Sequence, residues 1–574
     1  MDTAVDYQRI VYPYRRGADQ DAHDAGRPAR HPVVVVGAGP VGLTAAIDLA
    51  LQGVPVVLLN NDGRLSVGSR ALCFAKRTLE ILDRLGCGQR LVDKGVSWGV
   101  GRVFFRDEQV YQFNLQAESG HQRPAFVNLQ QYYVEGFLVE RALELPLIDL
   151  RWHHGVTGLT QQDDHVALEI DTPDGPYTLL ADHVVACDGS RSTLRKLIGE
   201  ESHGRTFKDR FLIADVRMNA PFPAERWFWF DPPFHPGQSV LLHRQPDGVW
   251  RIDFQLGWDA DPELEKQPER ILPRVRTLMR EASIAAGGDG AVPEIELVWA
   301  SVYTFACMRM DRFRHGRIVF AGDAAHGVSP FGARGANSGI QDADNLAWKL
   351  AAVVQGRAPE ALLDTYARER EIAADENILN STRSTDFITP KSEISRMFRD
   401  ATLTLAKDFD FARRLVNSGR LSVPTLQYGA PAADAPIHID GHDDWLLRQM
   451  QPGRFTLMVF HTNAEGTRGQ RAPMGPEWGL GVQEGSPMPR GEPALGNPAS
   501  GAHAVLEIHI DDALDARGLV RQRYDALPGV VVLLRPDQHI CARWRTMPSG
   551  EAIQDAMRHA LGHSVSLEEA SACR

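Results

Sequence analysis

Cysteine is scarce in this chain and never grouped. Cys73, Cys87, Cys187, Cys307, Cys541 and Cys573 are scattered through 574 residues. None forms a CxxC pair and none has zinc spacing with histidine. That argues against a disulfide scaffold, a thiol redox motif and a Cys/His metal site, and it makes a reducing, cytoplasmic setting the expectation. Long apolar runs are missing as well: none approaches a membrane span. The opening residues, MDTAVDYQRIVYPYRRGADQ, have no signal-peptide core. Positive charge is not in excess. With 62 Lys and Arg against 74 Asp and Glu the net charge is −12, so a nucleic-acid role finds no support. No internal repeat stands out. What is present is 43% hydrophobic and 24% charged, the balance of a soluble globular protein. The chain is too long for one core and predicts two or three domains.

The stretch Val33–Asn60, VVVVGAGPVGLTAAIDLALQGVPVVLLN, carries the most information. Four valines make a continuous apolar run, as in a strand buried on both faces. Gly37, Gly39 and Gly42 follow in the spacing G-x-G-x-x-G. Pro40 suits the first turn of a helix, where its missing N–H is no loss. Thr44–Gln52 reads as that helix, Gly53 as its stop and Val54–Leu59 as a second strand. Gly37 permits a tight turn, Gly39 lets a pyrophosphate approach the backbone, and Gly42 lets helix and strand pack closely. The helix N-terminus offers free N–H groups and positive partial charge to phosphates. The glycines alone would be a weak signal; the strand–turn–helix–strand around them points to a dinucleotide. An acidic ribose ligand is expected roughly 20 residues past the glycines. Asn60 and Asn61 stand there instead, with Asp62 one step beyond. Asn60 can accept a hydrogen bond from a hydroxyl but brings no charge.

Residues 1–30 are polar and without periodicity, and read as a mobile extension. Arg70 lies in a Gly/Ser-rich loop, either as a solvated charge or as a phosphate or ribose contact. Leu79, Ile81, Leu82 and Leu85 mark a helix ended by Gly86. Short strands are expected over 101–125, then a helix over 129–150 with Gln131 and Glu135 one turn apart. Val166–Leu180 alternates as in a hairpin, and Asp182–Cys187 is a short apolar strand running into a sharp turn at Asp188-Gly189. Arg191, Arg195 and Lys196 then open a helix, where cations oppose the dipole. Such a local conflict is expected at functional sites.

Residues 205–300 read as antiparallel strands. Trp227, Phe228, Trp229, Phe230, Phe234, Trp250 and Phe254 crowd there, either walling a pocket for a flat ligand or facing a core. Arg317–Ala321 is a buried strand ending in Gly322-Asp323. The loop Ser329–Gly335 leads to a long helix starting near Asn337, and a second helix spans roughly Pro359–Asn377. Asp323 sits where open α/β sheets bind ligands. It can hold sugar hydroxyls or simply cap a turn. The loop's N–H groups with the helix N-terminus form a site for developing negative charge. Residues 400–435 read as a linker. A separate C-terminal unit follows, with strands at Phe455–Phe460 and Ala504–Ile510, a hairpin at 530–544 and a last helix over Glu551–Leu561.

Three stretches in order, GAGPVG at 37–42, CDGSRS at 187–192 and GDAAH at 322–326 with GARGANSGIQDADNLAWKLA after it, resemble the single-component FAD-dependent aromatic hydroxylases. The likeness is greatest to the subgroup of 3-(3-hydroxyphenyl)propionate hydroxylase. It is strong over residues 31–400, and VVLLRPDQHICARWR resembles a hairpin of the thioredoxin-like appendage many members carry. The implied fold is α/β: a Rossmann-like FAD-binding domain (31–204 and 301–400) interrupted by a β-sheet substrate domain (205–300). An extension (1–30), a linker (401–434) and a thioredoxin-like C-terminal domain without CxxC (435–574) complete the chain. The implied cofactors are FAD and NAD(P)H, and the implied partners a small aromatic substrate and O2, with a homodimer allowed.

By the same resemblance, Gly37, Gly39 and Gly42 meet the FAD pyrophosphate, and Asn60 takes the place of the ribose-binding acid. Arg70 lies beside the adenosine diphosphate, and Gln131 near the ribityl chain. Asp188 serves both FAD and NAD(P)H, while Gly322 and Asp323 hold the ribityl chain. Pro330, Gly335, Ala336 and Asn337 lie beside the flavin ring, and Arg334 stands where many members have Gln. His243, Tyr303 and His326 are the candidate catalytic bases, and Pro330 joins them as a catalytic-loop residue. The implied reaction hydroxylates a phenol through a flavin C4a-hydroperoxide. A flavin disulfide reductase would need a redox cysteine pair that Cys73 and Cys87 do not provide. A flavin halogenase usually shows WxWxIP, unlike WFWFDP at 227–232. A non-catalytic flavin-binding protein stays open.

Overall fold

A computed structural model of the chain describes residues 6–68, 71–116, 118–220, 222–285, 287–416, 430–461 and 505–563. Arg30–Val36 (β1), Pro40–Leu51 (α1) and Val56–Asn60 (β2) form the βαβ unit anticipated from the glycine motif. A short strand, Cys73–Ala75 (β3), and the helix Lys76–Arg84 (α2) follow. The chain then leaves the first sheet for Val100–Phe105 (β4) and Glu108–Asn114 (β5). It returns through Gln131–Leu143 (α3), Ile148–Trp152 (β6) and Tyr177–Ala186 (β7), the last paired in a hairpin with Val166–Asp171. A second sheet is built from Arg210–Arg217 (β8), Arg226–Phe230 (β9), Ser239–Arg244 (β10), Val249–Leu256 (β11) and Glu296–Tyr303 (β12), with Pro268–Ala285 (α4) between the last two. Ile318–Phe320 (β13) re-enters the first sheet and precedes Gly335–Val354 (α5) and Leu362–Ile388 (α6).

In the first sheet the order β13-β7-β1-β2-β6 is parallel throughout. Both faces are covered, which is why β1 and β2 read as unbroken apolar runs. The second sheet runs β12-β8-β11-β10-β9-β4-β5 and is antiparallel except where β9 meets β4. Two of its strands therefore precede residue 205, where this sheet was expected to begin. The reason lies in β9, RWFWF, all five residues of which are buried. Such a strand cannot be left as an open edge, and β4 pairs with it from Gly101–Arg226 to Phe105–Phe230.

The aromatics of this sheet divide by alternation. Trp227, Trp229, Trp250 and Phe254 pack toward α4 with Ile271, Val275 and Leu278. Phe228 and Phe230 face the other way, among Phe211, Phe331 and Phe387. Most of the crowded aromatics are thus core, and the opposite face is the one turned toward the first sheet's loops.

Two expectations need correction. The extension is not loose over its described part: Tyr7 is buried in the main core, and Tyr12 stacks on Trp152 with ring centroids 4.3 Å apart. Asp19 receives His31 at 2.8 Å and Arg151 at 2.7 Å; burial alone would raise its pKa, yet these partners hold it down at about 2. The linker's first part is helical, with Glu393–Ala406 (α7) and Asp410–Leu415 (α8), because Leu403 and Ala406 find an apolar surface to bury against.

In the C-terminal unit Phe455–Phe460 (β14) lies between Val505–Ile510 (β15) and Val531–Leu534 (β16), and Ile540–Trp544 (β17) pairs with β16. Gly550–Ala560 (α9) follows. Phe455, Leu457, Leu533 and Met557 share a core with Trp348, Ala352 and Leu362 of α5 and α6. No helix among the described residues is long and apolar enough to cross a membrane.

Candidate functional site

Val36, Ala186 and Phe320 are level with one another at the C-terminal ends of β1, β7 and β13. The three motifs found in the sequence leave the sheet from these neighbouring positions, so one edge of the sheet gathers all of them. Gly37 has φ +106°, and a Cβ there would run into Cys187 O. A Cβ on Gly42 would run into Gly37 O. Gly39, by contrast, has φ −80° and a Cβ there would meet nothing within 4 Å. Two of the glycines are thus required by the fold, and the third opens space above the N-terminus of α1. That combination fits a pyrophosphate.

Asn60 closes the adjoining end of β2. Its Oδ1 accepts the Ala38 N–H at 3.0 Å and its Nδ2 donates to Asp62 O at 2.9 Å, so it pins the glycine turn to the loop after β2. Gln131, at the start of α3, accepts from Ala71 N at 2.9 Å and donates to Glu135 at 2.8 Å. Glu135 in turn accepts from Ser66 N and Oγ, both at 2.7 Å. Arg70 lies outside the described residues.

Asp188 caps the next helix: its carboxylate accepts from Ser192 Oγ at 2.6 Å and Leu194 N at 3.0 Å. This explains how basic residues tolerate a helix start, since the carboxylate offsets the dipole. Arg195 reaches Ala324 O at 2.7 Å and Ser190 O at 2.8 Å, tying the second motif to the third. Arg191 is exposed. Gly322 and Asp323 form a single 3₁₀ turn after β13; Gly322 N donates to Asp342 at 3.0 Å, and Asp323 is exposed.

His326 is buried behind this turn. Its Nε2 lies 2.7 Å from Asp342, whose other oxygen accepts from Arg370 at 2.6 Å, and its ring stacks on Phe313. It supports the turn and does not face the opening. Burial would raise the Asp342 pKa, but Arg370 and His326 bring it below the usual carboxylate range.

The loop into α5 carries Pro330, which is exposed, and Ala333 in the left-handed region at φ +54°. A non-glycine residue there stores strain, a common mark of functional loops. Ser338 N makes the first helical bond, to Arg334 O at 2.7 Å. The N–H groups of Gly335, Ala336 and Asn337 therefore point to partners outside the helix. The side chain of Asn337 is used otherwise: Oδ1 accepts from Ala75 N at 2.8 Å and Nδ2 donates to Cys73 O at 2.9 Å. Arg334, buried, donates to Asn377 at 2.9 Å.

The second sheet faces this loop. Phe331 packs edge-on against Phe211, with centroids 5.0 Å apart. In register along one row of the same face stand Arg226, His243, Arg251, Asp215 and Trp299. Asp253 and Ser301 belong to the next row, Tyr303 to the one after. His243 and Tyr303 thus share a face, while His326 does not join them. His243 is buried; desolvation first, then Arg226 and Arg251, push its pKa well below the ordinary histidine value, so it is neutral. Arg251 donates to Asp215 at 2.9 and 3.1 Å. Burial pushes Asp253 up to about 6. Cys73, whose carbonyl holds Asn337, lies beside this cluster, and burial pushes its thiol to about 11. Arg226, Arg251, Asp215 and Asp253 were not singled out from the sequence. The signal was the alternation Arg251-x-Asp253-x-Gln255 between Trp250, Ile252 and Phe254, a polar stripe on a strand that is otherwise apolar.

The FAD binding domain family matches residues 30–381. A relative from Rhodococcus jostii, named "Probable NADH-specific resorcinol 4-hydroxylase", is 31% identical over 478 residues, covering 80% of this chain and 82% of its own. One from Mycolicibacterium smegmatis, named 3-(3-hydroxy-phenyl)propionate/3-hydroxycinnamic acid hydroxylase, is 27% identical over 527 residues, covering 88% and 89%. The crystal structure of the flavin-dependent monooxygenase PieE in complex with FAD and substrate has the same fold. Its TM-score is 0.73 at 22% identity, over 93% of this chain and 99% of that one.

Proposed function

The chain belongs to the FAD-binding-domain family of flavin-dependent aromatic hydroxylases, and from that premise we propose that it uses NAD(P)H and O2 to hydroxylate a phenolic compound. The observation that carries this reading is the meeting of two things. Three dinucleotide motifs gather at one sheet edge, and a second sheet turns a buried polar and aromatic face toward the same loops. The name of the Rhodococcus relative supports a nicotinamide as electron donor. When bound, FAD would supply the redox chemistry between the nicotinamide and O2.

The protein's own part is to bind, orient and exclude water. We assign the turn Gly37–Gly42 and the α1 N-terminus to the pyrophosphate, Asn60 to the adenosine end, and Gln131 and Asp323 to the ribityl chain. The N–H groups of Gly335, Ala336 and Asn337 take developing negative charge at the ring. Asp188 acts by shaping the turn that presents Arg191. His243 and Tyr303 line the substrate side, where a closed aromatic surface protects reactive oxygen species from water. We read the C-terminal unit as thioredoxin-like in fold and without redox function, since its described cysteine, Cys541, is free and burial raises its pKa. Exposed Ile394, Met397, Phe398 and Phe411 on α7 and α8 support a homodimer.

The test is direct. The purified protein carries noncovalent FAD, and a panel of phenols accelerates its oxidation of NAD(P)H. Gly39→Val remains folded, because a Cβ there meets no protein atom within 4 Å and the backbone is at an ordinary negative φ, but loses FAD. Full flavin occupancy in that variant would remove the cofactor assignment.

A further inference from the structure

Arg226 is 7% exposed, and among the described residues its guanidinium meets neither a carboxylate at ion-pair distance nor a hydrogen-bond acceptor. Arginine does not give up its proton in a protein. A buried cation therefore stands without a paired anion, which is an unfavourable arrangement unless something fills the place. Its neighbours do not fill it. Asp215 is engaged by Arg251 and by Gln245, the latter at 3.0 Å. Asp253 comes closest to the row at His243, 3.9 Å away, and its Oδ1 has no partner. His243 is neutral and its buried Nδ1 has no partner either. Cys73, the other group acting on Arg226, is an uncharged thiol. Through the Cys73 carbonyl and Asn337 this place adjoins the first turn of α5, the loop assigned above to the flavin ring.

We infer that Arg226 is the oxyanion-binding residue of the substrate site: the aromatic substrate enters as an anion and lays a carboxylate or phenolate oxygen against this guanidinium. The inference rests on the hydroxylase reading and adds the substrate's charge to it. The planar fork of N–H donors suits a carboxylate through two oxygens and a phenolate through one. The empty partner position thereby becomes a selection device, because a neutral ring leaves the cation unpaired and an anionic one satisfies it.

Wild type, Arg226→Met and Arg226→Lys decide the matter, with FAD content, thermal unfolding and kinetics measured on each full-length protein. Met keeps apolar volume and removes the unpaired charge, so Arg226→Met without substrate melts higher than wild type. A guanidinium held by structural contacts would give a lower Tm. The aromatic used is whichever of 3-hydroxybenzoate, 3-(3-hydroxyphenyl)propionate, resorcinol and phenol best stimulates the wild type. For it Arg226→Met raises KM by roughly 30-fold or more, and Arg226→Lys, which keeps charge without the fork, by less. A loss confined to carboxylate-bearing phenols identifies the carboxylate as the bound group. A loss shared by all phenols identifies the phenolate. Unchanged KM in Arg226→Met overturns the inference whichever way the Tm moves. If no aromatic stimulates the wild type, the hydroxylase reading falls, and binding of 3-phenylpropionate followed by flavin fluorescence judges Arg226 alone. Weaker binding in Arg226→Met sustains it; equal binding, or none to the wild type, overturns it.

Discussion

Arg84 and Arg226 are both buried guanidiniums, and they differ in what surrounds them. Arg84 donates to Asp48 of α1 at 2.9 and 3.1 Å and also to Asp344 of α5. Arg77 joins the same carboxylate at 3.1 Å and reaches Asp537 O and Gln538 of the C-terminal unit at 2.8 and 3.0 Å. Nearby, Arg535 is held by Asp537 and Glu369, and Lys349 lies 2.9 Å from Glu369. Four cations thus meet four carboxylates where α1, α2, α5, α6 and the C-terminal unit join. On the second sheet Arg226 and His243 are as withdrawn from water, but among the described residues Arg226 has no carboxylate at ion-pair distance and Asp253, partly exposed, comes no nearer than 3.9 Å from His243. Buried cations paired with carboxylates mark where the protein is built, and a buried cation without one marks where it awaits a ligand.

The comparison can be broken from the paired side first. Asp344→Ala removes the carboxylate that Arg77 and Arg84 share, leaving Arg84 with Asp48 and Arg77 with only Glu80 at 3.7 Å, and breaking a buried pair costs about 3–5 kcal/mol. Chemical denaturation should register a loss of that order, and a loss within experimental noise would mean the network is hydrated and unimportant. Arg535→Met is the next largest. It leaves Glu369 with Lys349 but strips Asp537 of its two strongest hydrogen bonds, and the expected loss is about 2–3 kcal/mol. Faster proteolysis at the junction with the C-terminal unit should accompany it; equal protease resistance would separate the charges from docking.

The unpaired side responds with the opposite sign. Asp253, raised to about 6 by burial against the pull of Arg251, binds its proton more tightly folded than unfolded. The stability this lends is fully present below about pH 4, the unfolded carboxylate value, and is lost as pH rises through 6. Asp253→Asn cannot ionise, so its stability relative to wild type should increase between pH 4 and pH 7. A difference that stays flat with pH would show the carboxylate to be satisfied where it stands. Asn60→Ala gives the smallest effect. It removes the hydrogen bonds to Ala38 N and Asp62 O, and FAD binding should weaken by about 1 kcal/mol. Unchanged affinity would mean that the glycine turn holds its shape unaided.

The first sheet was legible because its signals are local. The valine run, the glycine spacing and the apolar stretches before Asp188 and Asp323 each lie within a few residues of chain, and their register at the sheet edge follows from parallel pairing. The second sheet was harder to read. Trp227 and Phe228 are adjacent in sequence and lie on opposite faces, one toward α4 and one toward Phe331 and Phe387. Composition shows an aromatic cluster, but only the strand pairing tells which rings are core. His326 was misleading for a related reason: its motif neighbours line the edge while its own ring turns inward onto Phe313. The described N-terminal segment gave no periodic signal because it is held by single anchors, Tyr7, Tyr12 and Asp19, and not by a repeating face.

The measurement that tests the account most directly is product analysis under isotopically labelled O2. The aromatic that best stimulates NAD(P)H oxidation is incubated with the FAD-loaded protein, and the product is examined by mass spectrometry. The account predicts one labelled oxygen atom in the ring product, with nicotinamide oxidised in step. Label arriving from water instead, or nicotinamide oxidation that no aromatic accelerates, would contradict it.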